Sequence, residues 1–226
     1  MQGVECTISP TSQIKQIRPI KKISIVLRIL FIGMFLMAVE TTMAQVSVIG
    51  GANYCTVRNN DLIQNQEPIY AHHFGVMVRY HPFRKLPNLS IQNELIFTRK
   101  GYQQELDKTY LFHFNYLSLP VLLNYAPAKY FSVHTGIELS GLINTNLKKG
   151  NTTYNNEALG IVGGFSLFDN ARISLYTRYT HGLVPMLKYY TFDKLGNFTG
   201  NIKDFKNSYL SVGLKINIYN ERIEIY

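Results

Sequence analysis

The chain has 226 residues, of which 46% are hydrophobic and 16% charged, with a formal net charge of +9. That length suits one domain behind a leader, and without a cluster of Lys and Arg interleaved with aromatics the mild positive charge excludes a nucleic-acid partner. Two cysteines, Cys6 in the leader and Cys55 beyond it, exclude an internal disulfide framework, and the lone Cys55 is read as an inert side chain.

The first element is an export signal. Lys21 and Lys22 precede the apolar run ISIVLRILFIGMFLMAV at 23–39, and Thr42 and Ala44 supply the small residues a signal peptidase requires before its cut. The uninterrupted apolar part, 29–39, holds 11 residues, short of the roughly 20 that a spanning helix needs. A cleaved signal peptide over 1–44 is expected, leaving a mature chain with a net charge of about +6.

From there no sustained 3.6-residue apolar period occurs. Alternation with period 2 appears eight times instead, bounded by Gly, Asn, Asp and Pro, and predicts strands at 46–57, 72–81, 88–99, 112–125, 130–143, 158–168, 171–183 and 208–219. Most are 10–14 residues long, whereas soluble strands cluster near about five or six and a tilted membrane strand needs about 9–11. The connections alternate between long (58–71, 100–111, 144–157, 184–207) and short (82–87, 126–129, 169–170). That alternation belongs to an up-and-down transmembrane barrel with short periplasmic turns and longer external loops.

The faces of the strands carry the same message. One row reads Val46, Val48, Gly50, Ala52, Tyr54, then Phe74, Val76, Val78, Tyr80, then Leu89, Ile91, Asn93, Leu95, Phe97. It continues through Leu117, Leu119, Val121, Leu123, Tyr125 and the corresponding residues of the later strands. Its forty positions hold no Asp, Glu, Lys or Arg, where the 16% share would place about six. The opposite row is small and Gly/Ser-rich and carries Arg79, Glu94, His134, Glu138, Arg172, Arg178 and Lys215. Lys or Arg near the bilayer midplane costs about 2–4 kcal/mol on a lipid-facing row, so the uncharged row is expected to face lipid. The polar row is expected to fill a narrow lumen as a charge network.

Aromatics sit where the boundaries should fall. Tyr80, Tyr125, Phe131, Phe168 and Tyr219 mark the short-turn ends, and Tyr54, Phe74, Phe97, Phe114 and Tyr179 the long-loop ends. Pro120 interrupts the fourth strand; its ring is expected in the lumen and its missing N–H breaks one ladder bond. The expectation is an all-β protein: an eight-stranded antiparallel up-and-down transmembrane β-barrel over 45–226, in the outer membrane, with both termini periplasmic.

The chain resembles the PorT-like outer-membrane β-barrel family. The resemblance rests on NYLSLPVLLNY (115–125), FGVMVRY (74–80), LSIQNELIFTRKG (89–101), LGIVGGFSL (159–167), LYTRYTHGL (175–183) and the closing YLSVGLKINIY (209–219). It implies an eight-stranded outer-membrane barrel, and a namesake of the family is tied to type IX secretion. Two departures stand out: Ser118 occupies a position often acidic in such proteins, and the chain continues past Tyr219 to ERIEIY, leaving two candidates for a terminal aromatic insertion signal.

Chemistry is sparse. His134 with Glu138 offers a proton or ligand site, against which stands an interior salt-bridge network that rigidifies the barrel; the network is favoured. His72 and His73 are adjacent and point to opposite faces, and no His/Cys/Asp group has metal-ligand spacing. GIVGG (160–164) lacks the helix and Lys of a phosphate loop and is expected to make room for side chains opposite it. No cofactor is expected. The expected role is non-enzymatic and structural or interactive, through the loops NNDLIQNQEP (59–68), LKKGNTTYNNE (147–157) and KYYTFDKLGNFTGNIKDFK (188–206). The partners expected are outer-membrane lipid and lipopolysaccharide, the barrel-insertion machinery, and surface or secretion-apparatus proteins. Two alternatives stay open: a lipid A-modifying enzyme drawing on His181 and the Thr177 row, and a soluble lipocalin-type barrel.

Overall fold

The computed structural model describes residues 44–58, 66–83, 85–105, 109–146, 153–188, 190–192, 198–201 and 205–219; the leader lies outside them except for Ala44. Eight principal strands follow in order: β1 (Ala44–Arg58), β2 (Ile69–Tyr80), β3 (Leu89–Glu105), β4 (Thr109–Ala128), β5 (Phe131–Thr145), β6 (Glu157–Leu167), β7 (Ile173–Pro185) and β8 (Lys206–Tyr219). Each pairs antiparallel with its sequence neighbour, and β8 returns to β1 from Val46↔Tyr219 to Arg58↔Lys206. The sheet therefore closes into an up-and-down barrel with no free edge along the ring.

Closure dictates which face is inside. Along β8, Leu210, Val212, Leu214, Ile216 and Ile218 are exposed while Ser211, Lys215 and Asn217 are buried. The same inversion holds at Val76 in β2, Leu117 and Leu123 in β4, Val133 and Ile137 in β5, and Ile161 and Phe165 in β6, all exposed. A soluble lipocalin-type barrel has its apolar row inside, so that alternative falls.

Two inward glycines make the packing possible. A Cβ on Gly164 would lie 2.3 Å from the Thr177 carbonyl and 2.7 Å from the Arg178 Cβ, and one on Gly213 would lie 2.6 Å from the Tyr176 hydroxyl. The bare backbone of GIVGG thus admits Arg178, as expected of it, and Gly213 admits Tyr176.

Several expectations change. The stretch 100–111, read as a long loop, is mostly ladder: β3 and β4 remain paired through Gly101↔His113 to Glu105↔Thr109. Beyond the lipid belt the pattern inverts: the inward row carries Tyr102, Phe112 and Phe114 while the outward row carries Gln103, His113 and Asn115, so the alternation of the membrane strand breaks although the hydrogen bonds continue. At Pro120 no bulge forms on the β3 side. Pairing is present at Asn93↔Val121 and resumes in the same register at Ile96↔Ser118, skipping Glu94 and Leu95 opposite Pro120 and Leu119.

The aromatic girdles are partly as expected. Tyr125, Phe131 and Phe168 stand exposed at the short-turn end, joined by Tyr130, whose ring centroid is 6.1 Å from that of Phe168. Tyr54, Phe74 and Tyr179 are exposed at the other end, where Phe74 and Phe97 lie 5.2 Å apart. Tyr80 departs from the pattern. It is buried, and its hydroxyl accepts a hydrogen bond from Asn93 (3.4 Å), the one side-chain amide on the uncharged row. Phe114 is buried because it is one residue out of phase with Leu117 and Tyr125, so the pleat turns it inward. The side chain of Tyr219 lies outside the described residues.

The exposed row predicts a depth-dependent penalty for charge. Leu214→Arg should destabilise the folded barrel by about 2–4 kcal/mol. Urea unfolding in lipid vesicles, read by heat-modifiable gel mobility, measures it. An unchanged midpoint would mean that Leu214 does not face hydrocarbon.

Candidate functional site: the charged lumen

The interior of a narrow barrel must satisfy every buried charge from within. Three groups of side chains do so, one above another. Nearest the short turns, Asp169 accepts from Arg79 through its two terminal guanidinium nitrogens (2.7 and 3.1 Å) and is also paired with Lys215. Arg79 further donates to Gln92 (2.8 Å), and Gln92 donates on to Glu94. Above this, Arg178 forms a bidentate pair with Glu94 at 2.6 and 3.0 Å and stacks over the Tyr176 ring at 4.5 Å. The Tyr176 hydroxyl lies 2.5 Å from His73 Nε2.

The third group is centred on Glu138. Lys100 donates to it at 2.7 Å, Ser140 at 2.9 Å and Ser118 at 3.4 Å, and the Tyr209 hydroxyl donates to its other oxygen. Lys100 also lies over the rings of Tyr116 (5.0 Å) and Tyr209 (4.7 Å). Ser118, standing where an acid was expected from the resemblance, here helps hold the carboxylate of the next strand.

Above the charges lies an aromatic stopper. Val57, Tyr102, Phe114, Tyr116, Met186 and Phe205 form one buried cluster. Met186 and Phe205 come from the chain between β7 and β8 and are tied by Met186 N–H donating to the Phe205 carbonyl at 2.7 Å. Asn155, before β6, anchors the same segment through its backbone N–H to the Met186 carbonyl (3.0 Å) and its side chain to the Pro185 carbonyl (2.6 Å). Two cavities in the described lumen hold about 20 and 10 Å³, room for about one water each.

Of the residues expected in the network, Arg79, Glu94, Glu138, Arg178 and Lys215 are joined as described. His134 is buried in the lumen but contributes no hydrogen bond among the described residues, so it makes no pair with Glu138. Arg172 is outside: it lies exposed in the turn before β7. Two members were missed. Asp169 sits in the tight β6–β7 turn, where an acid normally meets water, and Lys100 fell in the stretch read as loop. Following the Glu94, Ile96, Thr98 row two residues further would have found Lys100. The geometry behind Asp169 has no sequence signal. Phe168 adopts φ 57° and is exposed, while the next side chain, Asp169, is 1% exposed. A left-handed backbone at a non-glycine residue costs on the order of 1–2 kcal/mol, and here it reverses the chain so that the carboxylate turns into the lumen.

With these corrections the described lumen holds Arg79, Lys100, Arg178 and Lys215 against Glu94, Glu138 and Asp169. Every one of the seven has an opposite charge within 2.7 Å. Asp169 lies outside the spanning strands. Burial by itself would raise its carboxyl, but Arg79 and Lys215 outweigh burial and hold it well below the usual carboxylate range.

A closed eight-stranded sheet, apolar outside and charged within, defines an outer-membrane β-barrel. Residues 37–188 match the family described as outer membrane protein beta-barrel domain, and the chain belongs to that family, which places it in the bacterial outer membrane. Among solved structures it is similar to Neisserial surface protein A (13% identity, TM-score 0.47, covering 76% of this chain and 97% of that one). It is also similar to OprG from Pseudomonas aeruginosa (12%, TM-score 0.47, 79% and 98%) and to Ail, the attachment invasion locus protein of Yersinia pestis (12%, TM-score 0.43, 78% and 99%). No curated protein matches the sequence.

Removing one partner from these pairs leaves a buried charge uncompensated. Asp169→Asn, which strands Arg79 and Lys215, should cost about 3–5 kcal/mol. The depressed Asp169 carboxyl also sets a sign for pH. Its contribution is fully present above the unfolded value of about 3.9 and is lost as pH falls through the lower folded value. The gap between the wild-type and Asp169→Asn urea midpoints should therefore be constant above pH 5 and narrow below pH 4, because the wild type falls further there. Equal falls would remove Asp169 from the network.

Proposed function

We propose that this protein is a non-enzymatic outer-membrane barrel whose contacts are made outside the lumen, through the connections at its long-loop end. The observation that supports this is the filled interior. Among the described residues, paired charges and an aromatic stopper leave no continuous path for a solute, so neither diffusion through the barrel nor binding inside it suits the geometry. What remains for recognition is the rim, where β3 and β4 rise beyond the lipid belt as a paired hairpin to Glu105↔Thr109. Tyr70, Tyr110 and Leu111 are exposed in the same region.

The proposal includes removal of the leader 1–44, both termini in the periplasm, and the long-loop end facing outward. It also includes the finer placing among PorT-like proteins, with an association with type IX secretion, which rests on the sequence resemblance. Proteins of the cell surface or of a secretion apparatus are the proposed partners.

A second reading has one observation in its favour. Ser208 Oγ lies 3.2 Å from His181 Nδ1, on neighbouring strands toward the long-loop end, a pairing that a lipid A-modifying enzyme would use. No carboxylate bonds His181 among the described residues, and Ser208 is only 3% exposed, which favours the non-enzymatic reading. Mass spectrometry of lipid A from a deletion strain separates the two: an altered acyl pattern restored by the wild-type gene but not by Ser208→Ala would establish the enzyme.

Planar-bilayer recordings of the purified barrel should show no large, stable conductance. Mild crosslinking in cells should capture a partner protein with the wild type, and deletion of 147–152 should lose it while heat-modifiable mobility is kept. A steady open channel would overturn the closed-lumen basis of the proposal.

A further inference from the structure

All ion pairs among the described residues lie in the lumen. Arg99 is left as a cation on the outer face with no carboxylate partner among those residues. It lies on the outward row of β3, two residues beyond Phe97, at the long-loop boundary of the apolar belt. Across the β3–β4 ladder it is paired with Asn115.

Its side chain is held in a particular way. Arg99 Nε–H donates to Asn115 Oδ1 at 2.9 Å, and Asn115 Nδ2–H donates onward to Asn144 Oδ1 at 2.5 Å. The relay runs across β3, β4 and β5 and engages only the Nε edge of the guanidinium. The two terminal nitrogens make no hydrogen bond among the described residues and are left as a planar fork. Behind it, the Arg99 carbonyl accepts from Asn53 Nδ2 at 3.4 Å, which ties the backbone to β1. On β2, His72 stands exposed one step beyond His73↔Thr98, where the pairing with β3 ends.

Directly below, toward the middle of the belt, come Phe74, Phe97 and Leu117, with the two phenyl rings 5.2 Å apart. Aromatic belts mark the level of lipid headgroups. A phosphate attached to an acyl-bearing group therefore meets this surface with its charge beside Arg99 and its chains against the Phe97 face. Arg matches such an oxyanion with two parallel hydrogen bonds, and orienting the fork in advance reduces the entropy lost on binding.

We infer that Arg99, oriented by Asn115 and Asn144, is a binding site for the phosphate of an outer-leaflet phosphoglycolipid. The assignment of the outer leaflet rests on the orientation proposed above; binding measured in detergent does not, so the two stand or fall separately.

The test is native mass spectrometry of the detergent-purified full chain titrated with bisphosphorylated lipid A, with dephosphorylated lipid A, or with inorganic phosphate alone. Heat-modifiable mobility confirms that every variant is folded. Wild type should retain the phosphorylated lipid, Arg99→Gln should weaken retention at least tenfold, and Asn115→Ala at least threefold. Lys129→Gln, at the opposite rim, should leave it unchanged. Dephosphorylated lipid A should bind the wild type at least tenfold more weakly and be indifferent to Arg99→Gln. Millimolar inorganic phosphate should not displace the lipid. Equal retention by wild type and Arg99→Gln overturns the site, as does an Arg99→Gln loss of the same size on the dephosphorylated lipid. Displacement by inorganic phosphate overturns the lipid assignment in favour of a free-anion site.

Discussion

Hydrocarbon offers a peptide group no hydrogen-bond partner, so a strand that enters it must be paired along both edges. In this chain that requirement is met when β8 returns to β1 from Val46↔Tyr219 to Arg58↔Lys206. Other features follow from that closure. Ring closure turns one row of every strand outward and one inward, and lipid then selects apolar side chains for the first. The second is enclosed in a lumen too narrow for water to solvate its charges. Even the gap in the β3–β4 ladder at Pro120 is tolerable only because its neighbours at Asn93↔Val121 and Ile96↔Ser118 keep register.

The lumen answers the enclosure by pairing rather than by excluding charge. Arg178 with Glu94, Lys100 with Glu138, and Asp169 shared between Arg79 and Lys215 span strands far apart in sequence. Each pair acts as a cross-brace, because loss of either member leaves the other buried and uncompensated. Glycine makes this possible at Gly164, where the missing Cβ leaves room for Arg178. The aromatic stopper of Tyr102, Phe114, Met186 and Phe205 then replaces charge with apolar contact near the long-loop end. An interior so filled rigidifies the barrel, and under the proposed function recognition falls to its exterior.

That exterior is not uniform. The outward row is apolar through the belt and becomes polar at His72, Arg99 and Asn115, where Arg99 is held by an asparagine relay rather than by a carboxylate. The contrast with the lumen is instructive. Among the described residues, each cation inside is matched by a carboxylate; at this boundary a cation is oriented by neutral amides and meets no carboxylate.

Strand number, the uncharged row and the polarity of the lumen were legible in the sequence because each is a period-2 property of consecutive residues. The pattern Leu210, Val212, Leu214, Ile216 states its face without reference to any other strand. What it did not reveal depended on contacts between distant segments. Lys100 was hidden because above the lipid belt the inward row turns aromatic at Tyr102 and Phe114 and the alternation changes phase, although the ladder runs on. Asp169 was hidden because only the backbone reversal at Phe168 sends a turn carboxylate inward to meet Arg79 and Lys215. Tyr80 and Phe114 were assigned to the girdles from their place near strand ends, but Asn93 engages the first and the pleat withdraws the second. By itself the sequence determined which solvent each strand face would meet, since burial of apolar surface is decided residue by residue. Only the tertiary structure decided which charges pair, because a salt bridge is a property of two strands brought together by closure.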